Sequence, residues 1–202
     1  SPGSHVPWWE VFGAQSRKVV VLNWNERGAK TVAELKMAFP EESTTVTLLT
    51  SSEEVQNRAQ DAEKKHTEEL ARKGGRTPEG KFHVRYGQPL DEKDLIGAGV
   101  MDAGCVVVLS DAAAASRTSD STDAHLLAVV EAIGRLPWPE GKQRPSIVGL
   151  VCSKTAHTEL LVACKRANLT PELIMAEYLE AGALVQVLLN PQLVNVYQTL
   201  LT

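Results

Sequence analysis

Hydrophobic and polar positions fall into alternating blocks along this chain. Residues 18–23 (KVVVLN) are a continuous β-branched run that closes on a polar side chain. A short run of this kind suits a strand buried on both faces. Residues 27–39 then carry Val32, Leu35 and Phe39 on one helical stripe, and Pro40 stops the pattern. Residues 46–50 (VTLLT) predict a second strand. Residues 52–72 are strongly charged and predict a solvated helix, supported by Glu68 and Glu69 placed ahead of Arg72 and Lys73. The run Gly74-Gly75-Arg76-Thr77-Pro78-Glu79-Gly80 predicts an exposed loop open to proteolysis.

The second half repeats the alternation. Residues 82–86 predict a third strand, weaker because it alternates, and residues 91–98 a short helix with Gly99 as its stop. Residues 105–109 (CVVVL) give the strongest strand signal. Residues 111–122, rich in Ala, Ser and Asp, predict a loop with a helix cap at Thr122 or Asp123. Residues 123–135 predict a helix with Leu126, Val130 and Ile133 on one face, broken by Leu136-Pro137-Trp138-Pro139. Residues 146–151 (SIVGLV) predict a fifth strand. The next helix, residues 155–167, places Leu160, Leu161 and Cys164 inward, and residues 173–175 predict a short sixth strand. Two terminal helices follow at 177–189 and 192–201, with Pro191 at the start of the second, where a missing N–H costs little.

Strands that alternate with helices favour a parallel sheet covered on both faces. Right-handed crossovers make a doubly wound, Rossmann-like α/β sheet of about six strands the expected fold. The predicted organisation is a lead-in over residues 1–16, a Rossmann-like lobe over 17–170, and a C-terminal part over 171–202 holding the sixth strand and interface helices. Ser1-Pro2-Gly3-Ser4-His5 reads as a cloning scar.

Composition narrows the function. The 202 residues are 43% hydrophobic and 23% charged, as expected of a soluble globular domain. A net charge of -4 and an aromatic content of 5% argue against nucleic-acid partners. No apolar run approaches the ~18 residues of a membrane span. Cys105, Cys152 and Cys164 form no C-x-x-C pair, which fits a reducing compartment and buried packing. No nucleophile elbow, P-loop or H-E-x-x-H motif is present, and His66, His83, His125 and His157 are scattered. Nothing in the chain predicts an enzyme.

In such a sheet ligands bind beyond the carboxyl ends of the strands, where strand order reverses. The candidate ligand positions are therefore Asn23, Asn25, Arg27 and Gly28 after strand one, Thr50 and Ser51 after strand two, Gly87 after strand three, and Asp111 after strand four. A dinucleotide site wants G-x-G-x-x-G in the first loop, so that backbone approaches the pyrophosphate. Here Asn23 and Asn25 occupy the first two glycine places and only Gly28 remains. Strand two lacks a terminal acid for the ribose, since Glu53 and Glu54 fall inside the next helix. Both departures make NAD an unfavoured cofactor. Asp111, Asp120 and Asp123 form a candidate set for Ca²⁺, although no D-x-D-x-D-G loop is present. Residues 183–189 (ALVQVLL) are apolar around most of the helix, so more than the sheet must cover them. Leu184, Leu188, Leu193, Tyr197 and Leu200 are the candidate residues for self-association, through a two-fold contact.

Several pieces together resemble one family. Asn23-Trp24-Asn25-Glu26-Arg27-Gly28 resembles the altered "G-W-x-x-R" turn of the Castor/Pollux ion channels, within the wider class carrying regulator-of-potassium-conductance (RCK) domains. Val84-Arg85-Tyr86-Gly87-Gln88-Pro89 is similar to the loop after strand three of that class. Leu95-Ile96-Gly97-Ala98-Gly99-Val100 and Cys105-Val106-Val107-Val108-Leu109-Ser110-Asp111 resemble its "L-x-x-A-G-V … V-I-V-L-A-D" passage. Asp123-Ala124-His125 matches the aspartate at the start of the following helix. Asn23 in place of the first glycine, and the long charged helix before the Gly-rich loop, depart from the pattern. The resemblance implies a cytosolic gating ring, in which this chain stacks with other RCK domains below a tetrameric pore and a ligand such as Ca²⁺ or a nucleotide shifts the ring. The competing expectation is an NAD(P)-dependent oxidoreductase or a nucleotide-sensing subunit of a potassium transporter, and the first turn counts against it.

Overall fold

A computed structural model describes residues 18–37, 44–74, 80–110 and 119–177. Six strands make one all-parallel sheet: β1 (Lys18–Leu22), β2 (Thr45–Thr50), β3 (Lys81–Tyr86), β4 (Cys105–Val108), β5 (Ser146–Val151) and β6 (Thr170–Met175). Their spatial order is β3-β2-β1-β4-β5-β6, the doubly wound order expected from the alternating blocks. The helices are α1 (Gly28–Met37), α2 (Glu53–Arg72), α3 (Glu92–Gly97), α4 (Ser119–Gly134) and α5 (Lys154–Arg166). A 3₁₀ turn, Val100–Asp102, follows α3, with Gly99 in the left-handed conformation at φ 84° between them. The terminal helices expected from the sequence, with Leu184, Leu188, Leu193, Tyr197 and Leu200, lie outside the described residues.

The central strands read as apolar runs because both their faces are covered. Val19 and Val21 of β1 point into a smaller core with Val32, Val46, Leu48, Ala59 and Val107, beneath α1 and α2. Val20 and Leu22 point the other way, into a larger core with Val106, Val108, Ile147, Val151 and the inner faces of α4 and α5. Each helical pair thus covers one half of one sheet face. The half of the α1–α2 face built by β5 and β6 leaves Leu150 46% and Ile174 45% exposed, side by side in register. On the half of the opposite face built by β2 and β3, Leu49 is buried in the larger core, while Thr45, Thr47, Lys81, His83 and Arg85 are polar.

Four expectations change on the structure. α4 begins at Ser119, so Thr122 and Asp123 lie within the helix and not at its cap. Residues 111–118 of the expected loop fall outside the described residues. The charged helix α2 is not wholly solvated: Ala59 and Glu63, one turn apart, are buried against α1. Leu161 is 40% exposed while Leu160 and Cys164 are buried, because neighbouring helix positions sit about 100° apart. The alternating third strand is a full six-residue edge strand, its apolar positions Phe82 and Val84 turned to the smaller core.

Candidate functional site

Strand order reverses between β1 and β4, so the loops leaving these two strands flank the crevice where this fold class receives ligands. The sequence after β1 folds as a left-handed step followed by a capped helix start. Asn23 is buried at φ 67°, a backbone conformation that asparagine tolerates better than most residues. Its N–H continues the sheet by donating to Leu49 O at 2.9 Å. Its side chain then crosses the crevice. Nδ2 donates to Leu109 O at 3.4 Å and to His125 Nε2 of α4 at 2.7 Å. An amide nitrogen donates only, so the imidazole accepts through Nε2.

Asn25 repeats the bridge one step outward, with Nδ2 donating to Ser110 Oγ at 3.1 Å. The same residue caps α1. Its Oδ1 accepts from Arg27 N at 3.0 Å, and its carbonyl accepts from Gly28 N at 2.9 Å. A pyrophosphate in a dinucleotide fold is held by free N–H groups at this helix start. Here two of those donors are engaged by the chain's own asparagine, and the crevice is spanned by side-chain hydrogen bonds.

Gly28 has also changed its use. A Cβ built on it lies 2.5 Å from carbons of the Trp24 ring, so the bare Cα is what admits the indole. Trp24 in turn stacks on Phe82, centroids 6.1 Å apart and planes at 24°. The glycine that would bring backbone close to a phosphate instead seats an aromatic side chain over the smaller core. Gly28→Ala should therefore destabilise the chain by about 1–3 kcal/mol through overpacking. Trp24→Leu in the same background should restore most of that loss in urea titrations. A Gly28→Ala chain as stable as its parent would show that the indole has room elsewhere.

The remaining loops are similarly occupied. Thr50 is buried at the end of β2; its carbonyl accepts from Gly87 N at 2.9 Å and its Oγ1 from Ser52 N at 3.3 Å. Ser51 beside it is half-buried. Ser52 caps α2 by accepting from Val55 N at 3.2 Å. Glu54, in the first turn of α2, pairs with Arg58 at 2.5 Å. No carboxylate stands at the end of β2 to receive a ribose. After β3, Asp94 reaches back from α3 and accepts from Gln88 N at 2.8 Å, closing the loop beside buried Gly87.

The three candidate cation ligands do not share one description. Asp111 lies outside the described residues, and Asp120 falls in the first turn of α4. Asp123 is 5% exposed, and its two oxygens accept from Cys152 N at 2.8 Å and Ser153 N at 3.0 Å. Ser153 caps α5 by accepting from Ala156 N at 3.1 Å. The carboxylate thus pins α4 to the start of α5, where the helix dipole favours negative charge. Among the described residues, no three His, Cys, Asp or Glu side chains gather as a metal site. Two of the three thiols, Cys105 and Cys164, are held in the protonated form. Burial pushes Cys105 up to about 12, with Glu172 adding to the rise, and burial pushes Cys164 up to about 11.

Sequence reasoning placed Asn23 and Asn25 at the crevice but not the partners that cross it. Ser110 and His125 are the additional residues of this network. The only signal for them was position: Ser110 lies two residues beyond β4, and His125 lies nearly two turns into the helix that faces β1.

No protein-family model and no curated protein sequence matches the chain. A solved structure of the human SLO3 gating ring matches it with a TM-score of 0.55 at 14% sequence identity, over 85% of this chain. The match takes in 26% of the gating-ring chain, so this chain spans about a quarter of that length. No helix among the described residues is long and apolar enough to cross a membrane. The doubly wound sheet built from these residues is a fold shared with part of a channel gating ring.

Proposed function

We propose that this chain is a regulatory domain of the RCK type, acting by assembly and conformational coupling, with the Castor/Pollux channels as its specific affinity. The observation that carries the reading is the crevice bridged by Asn23, Asn25, Ser110 and His125 on a fold shared with a gating ring. A site whose donors already bind one another suits a mechanical element better than a cofactor holder. In this reading, a partner that prefers the crevice unbridged would shift the balance by its difference in affinity. The closely related alternative, a nicotinamide-dependent oxidoreductase, lacks support in the capped α1 start and in the missing acid after β2.

Assembly is the second part of the proposal. Leu150 and Ile174 form an exposed apolar strip on the sheet face that α1 and α2 do not reach. Leu184, Leu188, Leu193, Tyr197 and Leu200 supply an apolar C-terminal stretch in the sequence just beyond β6. Self-association through these surfaces is the expected behaviour in solution. Sedimentation velocity should show concentration-dependent dimers or larger species, weakened by Leu188→Glu. A chain that stays monomeric at every attainable concentration would remove the assembly half of the proposal.

A further inference from the structure

The outer two strands of the second half-sheet, β5 and β6, are covered on one face and open on the other. On the α4–α5 side, Ile147, Val151 and Met175 are buried in the larger core, with Leu173 packed against it. On the opposite side, register sets Ser146 beside Thr170, Val148 beside Glu172, and Leu150 beside Ile174. Val148 is partly buried at the margin of the smaller core, while Leu150 and Ile174 stand exposed. The polar members of this face are Ser146 and Thr170 at the strand starts, and exposed Glu172 on the outermost strand. The apolar pair lies at the other end, one residue before β5 and β6 finish.

The sequence beyond β6 supplies a matching segment. Residues 181–202 contain no Asp, Glu, Lys or Arg. A surface helix carries polar and charged residues on its outer face, and a helix without them needs cover. Connection and length both point to the strip. The last described residue, Glu177, stands three positions past Ile174. Residues 178–180 can span about 10 Å, two strand spacings, enough to turn back over β6 and β5. On the α4–α5 side of β6 the space is already filled by α5, whose Leu160 and Cys164 share the larger core with Met175. The open surface next to this chain end is therefore the strip. A helix over residues 181–189 would be about 13 Å long, and the strand from Ser146 to Leu150 is also about 13 Å.

We propose that residues 181–189 seat as a helix on the Leu150–Ile174 strip of their own chain. A three-residue link holds the segment beside its own strip at an effective concentration in roughly the millimolar range, above that of free copies in solution. The strip covers one side of the helix only. Because 183–189 (ALVQVLL) is apolar around most of its turn, the side facing away still needs cover, and that is the side a second copy meets. The strip thus enters self-association through the segment it carries. The inference rests on β5, β6 and the sequence that follows them, not on the regulatory reading. A chain found monomeric removes self-association and leaves this seat standing.

Disulfide trapping in the full chain is the test. Leu150→Cys is combined in turn with Ala183→Cys, Leu184→Cys and each following position to Leu188→Cys, in a Cys152→Ser background, and oxidised at low protein concentration. Cys105 lies opposite Ser146, about 13 Å along the sheet from position 150, too far to be bridged. Leu150→Cys alone is the control. The expected product is bridged within one chain, with yields several-fold higher at positions three or four apart than at those between, the period of a helix. Methyl contacts from Leu150 and Ile174 to leucines and valines of residues 184–189, seen by nuclear Overhauser effects in the unaltered chain, give the same test without a variant. They should persist as intramolecular when labelled and unlabelled copies are mixed. Uniformly low yields together with no such methyl contacts would overturn the proposal. Bridges found only between two chains would also overturn it, in favour of a seat filled by a second copy.

Discussion

Replacing Lys36 with methionine will destabilise this chain by about 3–5 kcal/mol, while Lys36→Met combined with Glu63→Leu will restore the parental stability or exceed it. Lys36 Nζ of α1 donates to Glu63 Oε1 of α2 at 2.9 Å, with the side chains only 8% and 11% exposed. Thr67 Oγ1 donates to the same oxygen at 3.1 Å. Removing the ammonium alone leaves a buried carboxylate with one hydroxyl for support. Removing both charges replaces a desolvated pair with apolar volume between two helices that already pack on Val32 and Ala59. Urea titrations of the parent, both single variants and the double variant form a complete cycle. Near-equal stability of the parent and Lys36→Met would show that water reaches the pair and that its coupling is weak.

Asp123→Ala will cost about 3 kcal/mol, because two N–H groups lose a charged acceptor at once. Cys152 N and Ser153 N both point at this carboxylate, and both belong to the turn that starts α5. The loss should have a local signature that a general packing defect would not produce. Hydrogen exchange at the Cys152 and Ser153 amides should accelerate beyond that of the β5 interior. Asp123→Asn keeps one acceptor oxygen and sets an amide nitrogen against the other donor, so it should fall between parent and alanine variant. If Asp123→Ala instead leaves the urea midpoint and both amides unchanged, water replaces the carboxylate without penalty.

The sheet was legible because burial on both faces writes a continuous apolar run. KVVVL and CVVV announce β1 and β4, and the order of blocks announces a parallel sheet between helices. What the sequence hid was anything decided across the fold. Glu63 reads as one more surface acid in a charged helix, and only the position of Lys36 on α1 makes it a buried partner. Leu161 belongs to the apolar set of its helix, yet α5 buries only the stripe through Leu160, Ala163 and Cys164. Asp123 reads as a cap because its residue type favours caps, but its acceptors serve another helix's entry 29 residues later. At the crevice, the missing glycines were visible and the replacement was not. Asn25 meets Ser110 across 85 residues of chain, a pairing no local pattern carries.

Together these observations describe a doubly wound sheet whose first loop is engaged by its own side chains. Asn25 takes the helix-start donors, Trp24 takes the space above Gly28, and Asn23 ties β1 to the loop of β4 and to α4. The two asparagines add contacts that hold the crevice together, while Trp24 packs on Phe82 over the smaller core. Among the described residues, the side chains at the ends of β1 and β4 position one another through hydrogen bonds across the crevice.

Calorimetric titration of NADH into the chain tests this most directly, with amide shifts followed in parallel. The account predicts no saturable binding up to about 1 mM, an affinity weaker than about −4 kcal/mol, and unmoved signals at Asn23, Asn25, Arg27 and Gly28. Micromolar binding that shifts those four residues would contradict it.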